Sequence, residues 1–119
     1  MAKKKIIVAD DNLEILYLLR EMLEIAGYDV KTSVDGQNIK DLTDNLPDLI
    51  LLDIYMSGVD GRDICKQLKS QEATKHIPVI MISAFTNLEK IIPDTGADGF
   101  LSKPFEMDEL LNKVGRYLS

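Results

Sequence analysis

The chain has 119 residues, of which 14 are basic and 20 are acidic, giving a net charge of −6. This length suits one domain, and the acidic balance argues against a nucleic-acid-binding surface, which would show clustered lysine and arginine. Cys65 is the only cysteine, and no apolar run approaches the roughly 20 residues that a membrane span needs, so we expect a soluble cytoplasmic protein without an internal disulfide.

The first third of the chain predicts two strands, each followed by a helix. Residues 6–9 form a short apolar run, which is typical of a strand buried on both faces. A helix follows, with Asn12 as its N-cap and Gly27 just beyond its end. A weaker strand is predicted at 30–34, and a second helix at about 35–46.

The middle of the chain repeats this alternation. Residues 49–52 and 79–82 are continuous apolar runs, and both predict buried strands. Between them a helix opens at residue 60 or 61 and turns one apolar face inward.

The last third predicts a strand at 99–102 and a final helix at 107–118. The segment 86–96 has an apolar stripe, but Pro93 would interrupt a helix there, so we expect a short or distorted one. Five strands alternating with about five helices predict an α/β fold with a doubly wound parallel sheet and right-handed crossovers. We expect residues 1–119 to form a single domain.

Polar residues follow four of the predicted strands at the point where each strand ends. They are Asp10 with Asp11, Asp53, Ser83 and Lys103. Each of them alone would be interpreted as a turn residue or a helix cap. Together they predict a site, because ligands in open α/β sheets bind at the carboxyl ends of the strands.

The residue types at this edge indicate a chemistry. Three carboxylates repel one another unless a cation joins them, and hard oxygen ligands without histidine or cysteine favour Mg²⁺ over Zn²⁺. Lys103 adds a positive charge and Ser83 a neutral donor. The set suits phosphoryl transfer, with a carboxylate as the attacking group.

With these residues in place, the sequence resembles the receiver domain of two-component response regulators over essentially its whole length, as a stand-alone, chemotaxis-regulator-like protein. The matching residues are Asp10-Asp11, Leu51-Leu52-Asp53, Met56, Gly58 to Gly61, Ser83-Ala84 and Lys103-Pro104-Phe105. The resemblance implies a flavodoxin-like sheet of order 2-1-3-4-5 flanked by five helices.

The resemblance also implies roles for the site residues. Asp53 is expected to be the phosphoacceptor, and Asp11, Asp53 and the backbone carbonyl of Tyr55 to bind Mg²⁺ or Mn²⁺ directly. Asp10 would act mainly through water. Lys103 would pair with Asp53 and then with the phosphoryl group.

Two further residues are implied to form the switch. Ser83 resembles the hydroxyl that moves to hydrogen-bond the phosphoryl group, and Phe100 the aromatic ring that then turns inward. The phosphoryl donor would be a phosphohistidine on a histidine kinase or a histidine phosphotransfer protein. Such a phosphoprotein acts in signal transduction, in a two-component system or phosphorelay, and passes the signal to a downstream protein. It is a regulator rather than an enzyme, with self-catalysed phosphorylation and slow autodephosphorylation.

The sequence departs from the family pattern in three places. Ser57 stands where proline is usual, and the twenty positions from Ser83 to Lys103 are about two fewer than is common. The shorter spacing suggests a shortened fourth helix. Tyr55 and Phe85 lie two residues after the phosphoacceptor and the switch serine. We expect these rings to shield the phosphoryl group from water.

Three other functions compete with this interpretation. A pseudo-receiver would bind partners without being phosphorylated. A metal-dependent phosphatase with an aspartate nucleophile usually carries an acid where Tyr55 stands. A flavodoxin-type or dinucleotide binder would show a glycine-rich loop after the first strand, where Asp10, Asp11 and Asn12 stand instead.

Overall fold

The computed structural model describes residues 3–34, 36, 39, 45–56, 58–84 and 95–118. In chain order its elements are β1 (Lys5–Ala9), α1 (Leu13–Ile25), β2 (Asp29–Ser33), β3 (Leu49–Asp53), β4 (Tyr55–Met56), β5 (Val59–Asp60), α2 (Gly61–Ser70), β6 (Val79–Ser83), β7 (Gly99–Ser102) and α3 (Met107–Leu118).

Five strands form one parallel sheet in the order β2-β1-β3-β6-β7. Without the small β4–β5 hairpin, this is the 2-1-3-4-5 order that the resemblance implies, so the predicted fold class is confirmed. The order reverses direction at β1, and the carboxyl ends of β1 and β3 therefore flank the switch point of the sheet.

The apolar runs form strands because both faces of the sheet are covered. Alternate residues point to opposite faces, and the strands β1, β3 and β6 contribute buried side chains to both. One face packs against α2 through Ile64, Cys65 and Leu68. The other packs against α1 and α3, with Leu19 and Val114 among the buried contacts.

Two of the predicted helix starts are capped by side chains. Asn12 Oδ1 accepts hydrogen bonds from the N–H groups of Glu14 and Ile15, at 3.0 and 3.3 Å. Asp60 Oδ1 accepts from the N–H of Arg62 at 2.9 Å. Each cap accepts from backbone N–H groups that have no partner within the first turn of the helix. Each cap therefore also fixes the residue at which the helix begins after the loop from the sheet.

One observed element was not predicted, and two predicted helices lie mostly outside the part of the chain that the structure describes. The sequence did not predict the antiparallel hairpin in which Tyr55 pairs with Asp60 and Met56 with Val59. Most of the predicted second helix and most of the predicted distorted helix at 86–96 lie outside the described residues. None of the helices that the structure describes has the length and apolarity for a membrane span.

Candidate functional site

The strand ends bring the three predicted carboxylates together. Asp10 follows β1, Asp11 comes next, and Asp53 is the last residue of β3, which pairs directly with β1. One carboxylate oxygen from each of the three lies within 4.8 Å of the others. Asp10 and Asp53 are buried, whereas Asp11 is exposed, so the cluster opens to solvent on the side of Asp11.

Lys103 closes the other side of this cluster. Its Nζ donates to Oδ2 of Asp10 at 2.9 Å and to Oδ2 of Asp53 at 3.5 Å. The lysine follows β7, and its backbone N–H donates to the Ser83 carbonyl at 2.8 Å, which fixes the start of its loop against β6. The Lys103–Pro104 peptide bond is cis. One ammonium group thus faces two buried carboxylates.

Asp10 is held on both of its oxygens. Oδ1 accepts from the N–H of Asn12 at 2.9 Å, and Oδ2 accepts from Lys103. Its backbone N–H donates to the Ser33 carbonyl at 3.1 Å. The carboxylate that is buried deepest is therefore also the one whose oxygens are already engaged.

Asp53 is an unusual carboxyl group. Burial, and then repulsion from Asp10, raise its pKa from 3.8 to about 6, while Lys103 and the N–H of Tyr55 pull the pKa down without cancelling the rise. Asp53 therefore remains mostly ionised at pH 7, but its negative charge is poorly stabilised. A carboxylate of this kind gains from any cation placed beside it.

The chemistry of the donor set fits a hard dication. The three ligating atoms are carboxylate oxygens, which Mg²⁺ and Mn²⁺ prefer, and no thiol or imidazole stands among them. Asp11 offers an exposed carboxylate, and Asp53 offers one whose charge Lys103 compensates only in part. The site can hold a metal ion with these residues as they stand.

Ser83 and Phe100 lie on the two strands next to this cluster. Ser83 is buried at the end of β6, one residue beyond the partner of Asp53 in the β3–β6 register. Phe100 is half-buried on β7, where it pairs with Met81, and the Nζ of Lys113 lies 5.5 Å from its ring centroid. Both are near the edge that carries the carboxylates, while Phe85 falls outside the described residues.

The hairpin after β3 forms the remaining wall. Gly61 donates its N–H to the carbonyl of Ile54, and a Cβ at Gly61 would come within 2.1 Å of the backbone oxygen of Asp53. Only glycine fits this close approach. The hairpin therefore lies tight against the backbone of Asp53, with the Tyr55 side chain about half exposed beside it.

One residue of this wall, Arg62, was missed by the sequence reasoning. Arg62 contacts both Tyr55 and Asp60, with its Nη2 atom 3.4 Å from the Tyr55 hydroxyl and 2.7 Å from Asp60 Oδ2. An acidic residue two positions before an arginine is a common pattern, and by itself it predicts no contact with a third residue. The contact becomes visible only once the hairpin sets Tyr55 opposite Asp60.

Comparisons with known proteins agree on one family. The model of the response regulator receiver domain matches residues 6–115. The transcriptional regulator RpaA of Synechocystis is 42% identical over 113 residues, which cover 92% of this chain and 47% of that protein. The alkaline phosphatase synthesis regulator PhoP of Bacillus subtilis is 39% identical over 114 residues, covering 93% and 47%. The chain spans about half the length of these curated relatives.

Solved structures resemble the chain over nearly its full length. The chemotaxis protein CheY4 of Vibrio cholerae has a TM-score of 0.88 and 30% identity, covering 98% of this chain and 99% of that one. The receiver domain of NtrX from Brucella abortus has a TM-score of 0.84 and 33% identity, covering 95% and 97%.

Proposed function

The chain belongs to the response regulator receiver domain family, and from this we propose that it is switched by phosphorylation of Asp53 in a two-component system or phosphorelay. Receiver domains are phosphoacceptor regulators rather than classical enzymes. The observation that carries the assignment to Asp53 is the group of three carboxylates with Lys103 bound to two of them.

The proposed transfer uses the carboxylate of Asp53 as the nucleophile. One of its oxygens attacks the phosphorus of a phosphohistidine on a histidine kinase or a histidine phosphotransfer protein. The new O–P bond forms as the P–N bond breaks, and the donor imidazole leaves with that electron pair and takes up a proton. Lys103 carries the positive charge that faces the phosphoryl oxygens, and the N–H of Tyr55 holds the nucleophile in place.

In the proposed metal site, some acids bind the metal directly and one binds it through water. Asp11, Asp53 and the backbone carbonyl of Tyr55 would hold Mg²⁺ or Mn²⁺ directly. Asp10 would act through water, which agrees with the hydrogen bonds that both of its oxygens already accept. When bound, the dication would neutralise charge on the phosphoryl oxygens.

The proposed response to phosphorylation runs from Ser83 to Phe100. A phosphoryl group on Asp53 offers a new acceptor to the Ser83 hydroxyl, which sits at the end of the neighbouring strand. Movement of Ser83 would change the packing between β6 and β7, the strand on which Phe100 pairs with Met81. This repacking would present a different surface to a downstream protein.

The proposal includes slow loss of the phosphoryl group. Tyr55 follows the acceptor by two residues and Phe85 follows Ser83 by two, and rings of this size at both positions would leave little room for an attacking water molecule. Hydrolysis catalysed by the domain itself would then reset the switch slowly.

The direct test is to label the purified protein with a small phosphodonor in the presence of Mg²⁺ and to map the modified residue by peptide analysis. We expect a single acyl phosphate on Asp53 and none in Asp53→Asn. The exposed carboxylate of Asp29 supplies a matched control, and Asp29→Asn should be labelled like the wild type.

Each other outcome favours a different function. Labelling of Asp53→Asn at the wild-type rate would contradict the assignment of the phosphoacceptor. Absence of any label in the wild type would favour a pseudo-receiver. Steady turnover of a phosphate ester would favour an aspartate-nucleophile phosphatase.

Some features of the proposal concern the protein as a whole. That residues 1–119 form a single receiver domain stays a prediction, as does a cytoplasmic location. The downstream target is proposed to be a protein. The DNA binding named for the Synechocystis relative describes a chain about twice as long, and we do not extend it to this one.

A further inference from the structure

Arg62 makes a clamp with two residues of the hairpin beside the site. Its guanidinium carbon lies 5.6 Å from the centroid of the Tyr55 ring, and its Nη2 lies 3.4 Å from the Tyr55 hydroxyl. A cation at this distance is attracted to the ring, and arginine is the cation that most often makes such contacts. The arginine therefore contacts both the ring and its polar tip.

Asp60 holds the arginine in this position. Its two carboxylate oxygens accept from Nε at 3.1 Å each, and Oδ2 also accepts from Nη2 at 2.7 Å. The same carboxylate caps α2 through the N–H of Arg62, so Asp60 binds this one residue at both backbone and side chain. A planar guanidinium held in this way has little freedom to swing away from Tyr55.

Tyr55 is the one member of the clamp that touches the phosphoacceptor. Its backbone N–H donates to the carboxylate of Asp53. Its side chain lines an open cavity of about 360 Å³ together with Asp11, the exposed carboxylate of the cluster. The orientation of this ring therefore affects the width of the cavity beside Asp11, whose carboxylate lies within 4.8 Å of that of Asp53.

We propose that Arg62 is a positioning residue that holds the Tyr55 ring at the entrance of the phosphoryl site and so lengthens the life of the phosphorylated state. The ring is about half exposed, and its contacts with Arg62 hold it beside the hairpin. Arg62 acts through the side chain of Tyr55, and the contacts that the structure gives it do not include Asp53, Asp11 or the Tyr55 carbonyl. This inference rests on the proposed phosphorylation of Asp53.

The test measures how fast the phosphoryl group is lost. The full chain is labelled with a small phosphodonor, the donor is removed, and the decay of the label is followed in wild type, Arg62→Ala, Tyr55→Ala and the double variant. We expect Arg62→Ala to speed the decay roughly two- to fivefold, the factor expected for an exposed cation–ring contact. In the Tyr55→Ala background, the same change at Arg62 should have no further effect.

Two control variants and one binding measurement distinguish a positioning role of Arg62 from the effects of a lost charge or of misfolding. Lys66→Ala removes one cation from an exposed position of the same helix and should decay like the wild type. Arg62→Lys keeps a cation near the ring and should restore part of the lifetime. The affinity of the unlabelled protein for Mg²⁺ should be the same in Arg62→Ala and in the wild type, because the ligands are untouched.

The outcomes distinguish this inference from the function on which it rests. No label on wild-type Asp53 would overturn both. Normal labelling of Asp53, with equal decay in wild type and Arg62→Ala, would overturn the role of Arg62 alone. An equal acceleration by Arg62→Ala with and without the Tyr55 ring would also overturn it, since the effect would not pass through the ring.

Discussion

The Nζ atom of Lys103 lies 2.9 Å from Oδ2 of Asp10, closer than the 3.5 Å that separates it from Oδ2 of Asp53. The resemblance implies that the lysine pairs with the phosphoacceptor, and the geometry adds that Asp10 is the nearer partner. Lys103 thus offsets the charge of a fully buried acid and still reaches the acceptor. Lys103 offsets only part of the cost of burying the negative charge of Asp53, and the pKa of Asp53 is therefore raised to about 6.

Removing Lys103 should raise the pKa of Asp53 further. The lysine lowers that pKa both through its charge and through a hydrogen bond, and Lys103→Ala removes both. We expect the titration midpoint of Asp53 in the metal-free protein, followed by NMR of its side-chain carboxyl carbon, to move upward from about 6. Lys113→Ala serves as the control, because it removes a cation that lies over the Phe100 ring. An unchanged midpoint in Lys103→Ala would show that Lys103 does not act on Asp53.

Asp53→Asn should stabilise the metal-free protein at neutral pH. Because the folded pKa is raised above the unfolded value of 3.8, the stability that Asp53 contributes is fully present below pH 4 and is lost as the pH rises through about 6. A shift of about two units corresponds to about 3 kcal/mol at 1.36 kcal/mol per unit. Urea unfolding with a chelator present, at several pH values, measures the difference between the two proteins. A difference that stays constant between pH 4 and pH 7 would contradict the prediction.

Gly61→Ala should prevent the hairpin from closing on β3. The new Cβ would meet the backbone oxygen of Asp53, which no side-chain rotation can relieve. We expect a loss of more than about 2 kcal/mol in the free energy of unfolding, as is typical of overpacking against rigid backbone.

Gly115 is the matched control for that change. It lies within α3, and a Cβ there would meet no atom within 4 Å. Gly115→Ala should therefore stabilise the protein by about 0.5–1 kcal/mol, the ordinary gain for replacing a helical glycine. If both variants lose stability equally, the close approach at Gly61 is not the reason for its glycine.

Periodicity predicted most of the sheet because its central strands are buried on both faces. Runs such as 49–52 have no polar residue to interrupt them, and that pattern is typical of a strand covered on both faces in a parallel sheet. The three acids could be grouped for the same reason: once β1 and β3 are parallel neighbours, the residues after them must share one edge.

The contacts that escaped prediction depend on short irregular segments. The hairpin spans only residues 55–60, and its turn places Gly58 at φ 80, a conformation that no periodic pattern encodes. The clamp of Arg62 on Tyr55 follows from that hairpin and not from spacing along the chain. The preference of Lys103 for Asp10 likewise depends on side-chain placement within 1 Å, which residue types alone do not determine.

Lys69 should stabilise the end of the sheet that lies opposite the site. Its Nζ donates to Asp98 Oδ2 at 2.7 Å and to the Ile77 carbonyl at 2.8 Å, and Asp98 Oδ2 also accepts from the N–H of Val79 at 2.8 Å. These contacts join the last turn of α2 to the starts of β6 and β7. The lysine side chain is only 17% exposed. Lys69→Met removes a donor from the Ile77 carbonyl and leaves Asp98 Oδ2 with the N–H of Val79, so we expect it to cost about 1–3 kcal/mol.

The exposed ion pair between Lys75 and Glu72 is the control for the stability effect of Lys69→Met. That pair is exposed on both sides, at 52% and 90%, so Lys75→Ala should change the unfolding free energy by less than about 0.5 kcal/mol. Because the Lys69 contacts lie at the amino ends of β6 and β7, folded Lys69→Met should still be labelled on Asp53 at the wild-type rate. Urea unfolding and a labelling time course on the same preparations measure both quantities. A slower labelling of the folded variant would mean that the two ends of the sheet are coupled, since Lys69 contacts no group at the carboxylate edge.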